Sequence, residues 1–266
     1  VSARVAVVVF PGTNSEDETV RALRAVGLDA EVAHWSRGAA ALRAYDAFVL
    51  PGGFAYEDRV RAGAVAAHDE TMDAVAAAAQ TGKFVVGICN GAQILLESGL
   101  VPGTGPLRRP TAAFAPNASG RFQSVHVYVR LAVPPARIPV LGALEPDAVI
   151  PAWASHAEGR LAADPTELDR LERDGHLAFI YCNARGERVP APNGSARDAA
   201  AVTNRAGNVI AIMPHPERDA WTYMHRESDA ATAAARGDTP AMLAPSGGIR
   251  FFEAFASALG VTAGAR

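Results

Sequence analysis

Cys89 stands at the end of a short apolar run, Phe84-Val85-Val86-Gly87-Ile88, and Asn90-Gly91-Ala92-Gln93 follows it. A strand that ends in Gly-x-Cys-x-Gly and continues into a helix-compatible stretch, Gln93 to Ser98, describes the thiol version of a nucleophile elbow. Small residues at 87 and 91 leave room for a strained turn that lifts the sulfur into a cleft. The start of the following helix favours anionic sulfur through its dipole and its unpaired N–H groups. Buried structural cysteines also occupy strand ends, so this segment alone leaves both catalysis and core packing open.

Two other segments supply what a sulfur nucleophile lacks. Pro214-His215-Pro216-Glu217 follows a late apolar run, Val209–Met213. In extended chain, residues two apart share a side, so Glu217 can reach the His215 imidazole. That is a base and the carboxylate that orients it. Pro51-Gly52-Gly53 follows another apolar run, Ala47–Leu50. Bare backbone there can aim an N–H into a cleft, and the N–H groups of Gly53 and Asn90 would form an oxyanion hole. Taken singly, one segment reads as a surface His-Glu pair and the other as a plain tight turn. Together with Cys89 they complete one mechanism. The sulfur attacks a carboxamide, the two N–H groups hold the tetrahedral oxygen, and His215 protonates the leaving ammonia. Water then releases the acid from the thioester. The residues describe a thiol amidase or a related cysteine hydrolase, and they name no substrate.

The elements that must position these groups alternate. Val5–Phe10 is a continuous apolar run stopped by Pro11-Gly12, as buried parallel strands are. Ser15–Val26 carries acids first, arginines later and Gly27 beyond its end, which are helix start and stop signals. Glu31–Ala33, Ala47–Leu50 and Phe84–Ile88 are predicted strands, and a long helix is predicted over Arg61–Gln80. Repeated β-α units of this kind imply a parallel sheet whose ligands bind beyond the carboxyl ends of its strands. From about 101 to 192 the chain is rich in Pro and Gly, with strand-like pieces at Ser124–Leu131 and Leu177–Cys182. These are expected to add antiparallel strands and long loops to the same sheet. Val209–Met213 is a late strand and Ile249–Leu259 a terminal helix. Residues 219–246, Ala-rich and polar, are predicted to form a surface excursion from a single domain spanning 1–266.

Composition narrows the function classes. Hydrophobic residues make up 49% of the 266-residue chain and charged residues 20%, which suits a globular α/β domain rather than a disordered chain. The net charge of −3 gives no basic footprint for nucleic acid. Lys83 is the only lysine, so arginine carries nearly all the positive charge. With two cysteines, Cys89 and Cys182, there is neither a disulfide framework nor a cysteine cluster for zinc, and Cys182 reads as a core residue. The first apolar run is too short for a membrane span, and a cytoplasmic location is the expectation.

Cys89-Asn90-Gly91-Ala92-Gln93 with a distant His215-Pro216-Glu217 resembles the class I, triad-type glutamine amidotransferases. Further segments resemble one subgroup, the PurQ-type glutaminase subunits of phosphoribosylformylglycinamidine (FGAM) synthase. These are Phe10–Asn14, Pro51–Ala64, His156–Arg160, Pro192–Ser195 and Met213–Arg218. The matches span positions 10 to 218, and Pro51–Ala64 is the most specific. The resemblance implies a flavodoxin-like α/β fold with a mostly parallel central sheet, helices on both faces and added antiparallel strands. It implies glutamine hydrolysis to glutamate and ammonia, with Cys89 as nucleophile, His215 as base and Glu217 as its orienting acid. Gly53 and Asn90 would hold the oxyanion, and Gly52 and Gln93 would bind the glutamine. The ammonia would pass to a PurL-type synthetase subunit that converts FGAR to FGAM in purine synthesis, with a small PurS-type accessory subunit completing the complex. ATP and Mg2+ would be bound by that partner, and no cofactor or metal by this chain.

Three positions depart from the subgroup: Ala92 where Phe is frequent, Ala157 where Gly is usual, and Glu57 where Gly is more frequent. Two other readings compete. One is a different triad amidotransferase or thiol amidase, against which Phe54–Ala64 argues. The other is a non-catalytic binding module on the same scaffold, against which the complete Cys/His/Glu set argues.

Overall fold

The structure, a computed structural model, describes residues 2–225 and 244–261. Its centre is a nine-stranded sheet with a parallel half and an antiparallel half. The parallel half begins with β1 (Arg4–Val9), flanked by β2 (Asp29–His34) and β3 (Ala47–Leu50). Next to β3 lies β4 (Phe84–Ile88). Its far neighbour, from late in the chain, is Val209–Ile212. The interior strands of this half are buried along nearly their whole length, because parallel strands are covered on both faces and need apolar side chains on both.

The Pro/Gly-rich middle of the chain builds the rest. Two of its strands, β5 (Ala112–Pro116) and β8 (Glu158–Ala163), pair only with each other in a separate two-stranded sheet. Their placement corrects the expectation that all added strands join one sheet. Between them come β6 (Gln123–Leu131) and β7 (Val149–His156), which extend the main sheet. After them come β9 (Leu177–Cys182) and β10 (Ala199–Thr203), which link β6 to β11 (Val209–Ile212) by antiparallel pairing. The sheet order is β2-β1-β3-β4-β11-β10-β9-β6-β7.

The helices are α1 (Glu16–Ala25), α2 (Glu70–Gln80), α3 (Asn90–Glu97), α4 (Pro165–Arg173) and α5 (Ile249–Ala258) among the described residues. All eight residues of α3 are buried, so the helix that follows Cys89 lies in the core. The helix predicted over 61–80 is shorter than expected. The Asp69 backbone is extended and its carboxylate accepts from the Thr71 N–H at 2.8 Å, so the helix starts at Glu70. The preceding residues 61–69 hold only a 3-10 turn, Ala66–His68.

The predicted excursion over 219–246 begins inside the fold, since Asp219 is fully buried and receives a hydrogen bond from Ser246. Residues 226–243 lie outside the described residues. Among the described residues no helix is long and apolar enough to cross a membrane.

Candidate active site

No loop separates β4 from α3, so Cys89 alone must reverse the chain. It does so at φ 52°, ψ −107°, a conformation costing a β-carbon-bearing residue about 1–3 kcal/mol. The surroundings hold it there. The Cys89 N–H donates to the Ile212 carbonyl at 2.8 Å, and the Gln93 N–H donates to the Cys89 carbonyl at 3.0 Å. Gly91 lets the first turn of α3 press against the end of β3, where an added Cβ would come within 1.9 Å of the Leu50 oxygen. Cys89 thus has the strained backbone conformation that an elbow between strand and helix requires.

The base arrives from β11, the strand beside β4. Past Ile212 the chain leaves the parallel half and bridges to β7, where His215 and Trp153 exchange backbone hydrogen bonds of 2.8 and 3.2 Å. His215 Nδ1 lies 2.5 Å from Glu217 Oε1, both side chains being buried. Glu217 Oε2 has no hydrogen-bond partner, so the carboxylate is committed to the ring. The Cys89 thiol donates to the Ser155 carbonyl at 3.7 Å, and Cys89 and His215 line the same cavity. Burial by itself would depress the ring; the Glu217 carboxylate and then Cys89 outweigh it and push His215 up to about 9. Gly52 is the contact surface for both, since a Cβ there would lie 2.5 Å from His215 Cε1 and 3.4 Å from Cys89 Cβ. The structure therefore brings Cys89, His215 and Glu217 together at the ends of neighbouring strands.

Gly53 and Thr13 face each other as an antiparallel pair, held by the hydrogen bonds Phe54 N–H to Gly12 and Asn14 N–H to Gly52. In such a pair the flanking residues spend their N–H groups on each other, and the Gly53 N–H points away from Thr13. The Asn90 N–H is the first of α3, where no intrahelical acceptor exists. The Asn90 side chain holds the rim, its oxygen accepting from Ala55 N–H and its nitrogen donating to Asp58 and to Gln93 Oε1, each at 2.9 Å. Gln93 in turn donates to the Glu158 carbonyl at 2.6 Å, so each end of the predicted substrate ligand already meets protein.

A cavity of about 280 Å³ opens over the sulfur and brings in groups to which the sequence reading gave no role. Asp58, Glu158 and Arg218 line it. Burial raises the Asp58 carboxyl, opposed by its bond from Asn90 and reinforced by Glu158. Arg218 is anchored by Ser15 Oγ at 2.9 Å and Glu18 at 3.3 Å. His156 also lines the cavity; its Nδ1 lies 3.0 Å from Asn117 Oδ1, and its buried Nε2 has no hydrogen-bond partner. Burial, and then the charge of His215, pull His156 down to about 4. These residues sit in the segments carrying the resemblance, but only the pairing of β7 with β6 and the Trp153 bridge bring that wall to Cys89.

Comparison with known proteins gives the family of the chain. Residues 2–248 match the family described as CobB/CobQ-like glutamine amidotransferase domain. The chain is 45% identical over 219 residues to the phosphoribosylformylglycinamidine synthase subunit PurQ of Symbiobacterium thermophilum, covering 81% of this chain and 87% of the relative. Identity to the PurQ subunit of Thermus thermophilus is 41% over 216 residues, or 81% and 89% of the two chains. Among solved structures, PurLQS from Thermotoga maritima contains a chain with a TM-score of 0.74 and 28% identity, covering 97% of this chain and 100% of that one.

Proposed function

This chain belongs to the PurQ family of phosphoribosylformylglycinamidine synthase subunits, glutamine amidotransferases by domain, and on that premise we propose the following reaction for its site. Glutamine enters the cavity over Cys89 with its side-chain amide toward the sulfur. Its α-ammonium is drawn to Asp58 and Glu158 and its α-carboxylate to Arg218, since two acids and a guanidinium complement a zwitterionic amino acid. Gln93 adds a polar contact. Cys89 Sγ attacks the carboxamide carbon, and the N–H groups of Gly53 and Asn90 receive the oxygen that becomes negative.

His215 then acts as acid. Pushed up to about 9, it holds a proton at neutral pH that can be given to the departing nitrogen. Once ammonia has left, the neutral ring takes a proton from water, whose attack on the thioester releases glutamate. Glu217 keeps Nδ1 protonated and the ring oriented throughout.

The ammonia serves a synthetase subunit of PurL type, in a complex that a small PurS-type subunit completes. That partner binds ATP and Mg2+ and converts FGAR to FGAM. The likeness to a chain of PurLQS supports such an assembly. The complex is cytoplasmic.

The observation that carries the proposal is the convergence of a strained Cys89, His215 and Glu217 at one end of the parallel strands. The test is Cys89→Ala assayed with its synthetase partners. Glutamine-dependent FGAM formation is expected to fall by more than about 10³-fold, while synthesis from added ammonium persists. Continued use of glutamine by that variant would overturn the assignment.

A further inference from the structure

A second set of ionisable side chains begins two residues beyond Glu217. Pro216–Asp219 is one 3-10 turn, and its two ends serve different imidazoles. Glu217 meets His215, whereas Asp219 Oδ2 lies 2.7 Å from His126 Nε2 and 3.0 Å from His225 Nδ1. One nitrogen from each of these histidines and one Asp219 oxygen all fall within 4.8 Å of one another. We propose that His126, Asp219 and His225 bind a divalent transition-metal ion, with Zn2+ the best chemical match.

The donor set points to this class. Two imidazoles and a carboxylate suit Zn2+ and its first-row neighbours, and they suit Mg2+ or Ca2+ poorly. A tetrahedral Zn2+ holds such atoms about 3.4 Å apart, so the cluster needs movements on the order of 1 Å to receive one. The fourth position is left for water or another ligand.

The surroundings favour a cation over a purely hydrogen-bonded cluster. The Asp219 side chain is fully buried and that of His126 is 2% exposed. Burying a carboxylate is costly without compensating charge. Among the described residues, no Lys or Arg forms an ion pair with Asp219, whose other side-chain partner is the Ser246 hydroxyl at 2.9 Å. That hydroxyl orients the carboxylate as outer partners of metal ligands do. The two imidazole planes stand at 89° with centroids 4.9 Å apart, so their nitrogens approach the carboxylate from different directions. Tyr128 and Trp153 pack edge-on against His126 at 5.1 and 5.4 Å and screen it from water.

The ligands are far apart in sequence, on β6, on the turn that also carries Glu217 and at residue 225, which is why no spacing motif discloses them. A bound ion would tie β6 to the turn that orients the catalytic imidazole. Its role is structural, and the proposal stands independently of the glutaminase assignment.

The test uses the full chain carrying Cys89→Ala, so that the reactive thiol cannot capture the added metal. Titration with Co2+ is expected to give a visible d–d absorption of tetrahedral type that saturates near one equivalent and is displaced by Zn2+. Zn2+ is expected to raise Tm by several degrees. Adding His225→Ala should abolish both effects in a protein that still unfolds cooperatively without metal, at a Tm lowered by the loss of one partner of Asp219. His225→Asn, a smaller change, supplies the same readouts if the alanine variant does not fold. Absence of both metal responses in the folded Cys89→Ala protein, or a Co2+ band that persists in the His225 variants, would overturn the site and leave a hydrogen-bonded cluster.

Discussion

The two halves of the sheet contribute to the site in different ways. The parallel half delivers backbone: the Cys89 elbow after β4 and Gly52-Gly53 after β3, fitted together with little slack, as the 1.9 Å approach of a Gly91 Cβ to Leu50 indicates. The far side of the cavity delivers side chains and a wall, with Ser155 and His156 from β7 of the antiparallel half and Glu158 from β8 of the separate two-stranded sheet. Backbone against backbone cannot relax, whereas side chains held by hydrogen bonds can. Substitutions in the first region should act nearly all-or-none, and those in the second in grades that depend on pH.

The largest effect is expected from Gly91→Ala. The new methyl would collide with a carbonyl rather than with a movable side chain, so a loss of about 3 kcal/mol or more should appear in urea unfolding. A wild-type midpoint would show that β3 and α3 can separate, and the contrast between the halves would fail. Gly52→Ala tests the same region at the reacting groups. A Cβ 2.5 Å from His215 Cε1 pushes the ring off Cys89, so the variant should fold yet lose about 10²-fold or more in glutaminase kcat/KM. Unchanged kcat/KM would mean that the ring has room elsewhere in the cavity.

The imidazoles on the two sides of the cavity, His215 beyond β11 and His156 on β7, respond to pH in opposite ways. His215, pushed up to about 9 from an ordinary value of 6.5, stabilises the fold fully below about pH 6.5 and less as pH climbs through 9. His156, pulled down to about 4, has the opposite sign. It is buried neutral, so its contribution is intact above about pH 6.5 and is lost as pH falls toward 4. The two limbs, each on the order of 3 kcal/mol, meet near pH 6.5. Unfolding free energies measured across this range should therefore show a maximum there. Glu217→Gln removes the charge that raises His215 and should flatten the alkaline limb, while the acid one, set first by burial of His156, changes less. An alkaline limb of wild-type slope in that variant would assign it to another group.

The same division explains what could be read from sequence. β3, β4 and β9 were predicted with the bounds observed, because each is a short apolar run whose burial needs no knowledge of its neighbours. Cys89 and His215 are legible because each stands just beyond such a run, and Glu217 because it lies two residues from His215. β7, with Pro151 inside it and alanines along it, carries no clear strand signal in the sequence, and neither does β10, whose Ala199–Thr203 has little strand preference of its own. Both become strands through pairing with distant neighbours. The cavity groups His156 and Glu158 come from that region, so their approach to Cys89 is a tertiary fact. The helix predicted over 61–80 failed for a local reason, the Asp69 cap.

The smallest expected effect concerns the cavity rim, where local strain rather than packing is at issue. Tyr56, Glu57 and Asp58 all have positive φ, at 55°, 59° and 50°, a run that side chains disfavour. Glu57 is one of the positions where the resemblance leads one to expect Gly, and the backbone would favour it: relief of the left-handed conformation is worth about 1–2 kcal/mol. Against that, glycine costs about 0.5–1 kcal/mol in unfolded-chain entropy. The Arg59–Glu57 ion pair, with side chains 73% and 77% exposed, adds little. Glu57→Gly should therefore be neutral or stabilising by up to about 1 kcal/mol in urea unfolding, and its KM for glutamine should stay within a few-fold of wild type. A loss of more than about 1 kcal/mol would mean that Glu57 makes a stabilising interaction exceeding its backbone strain, and the rim would then belong with the tightly fitted half.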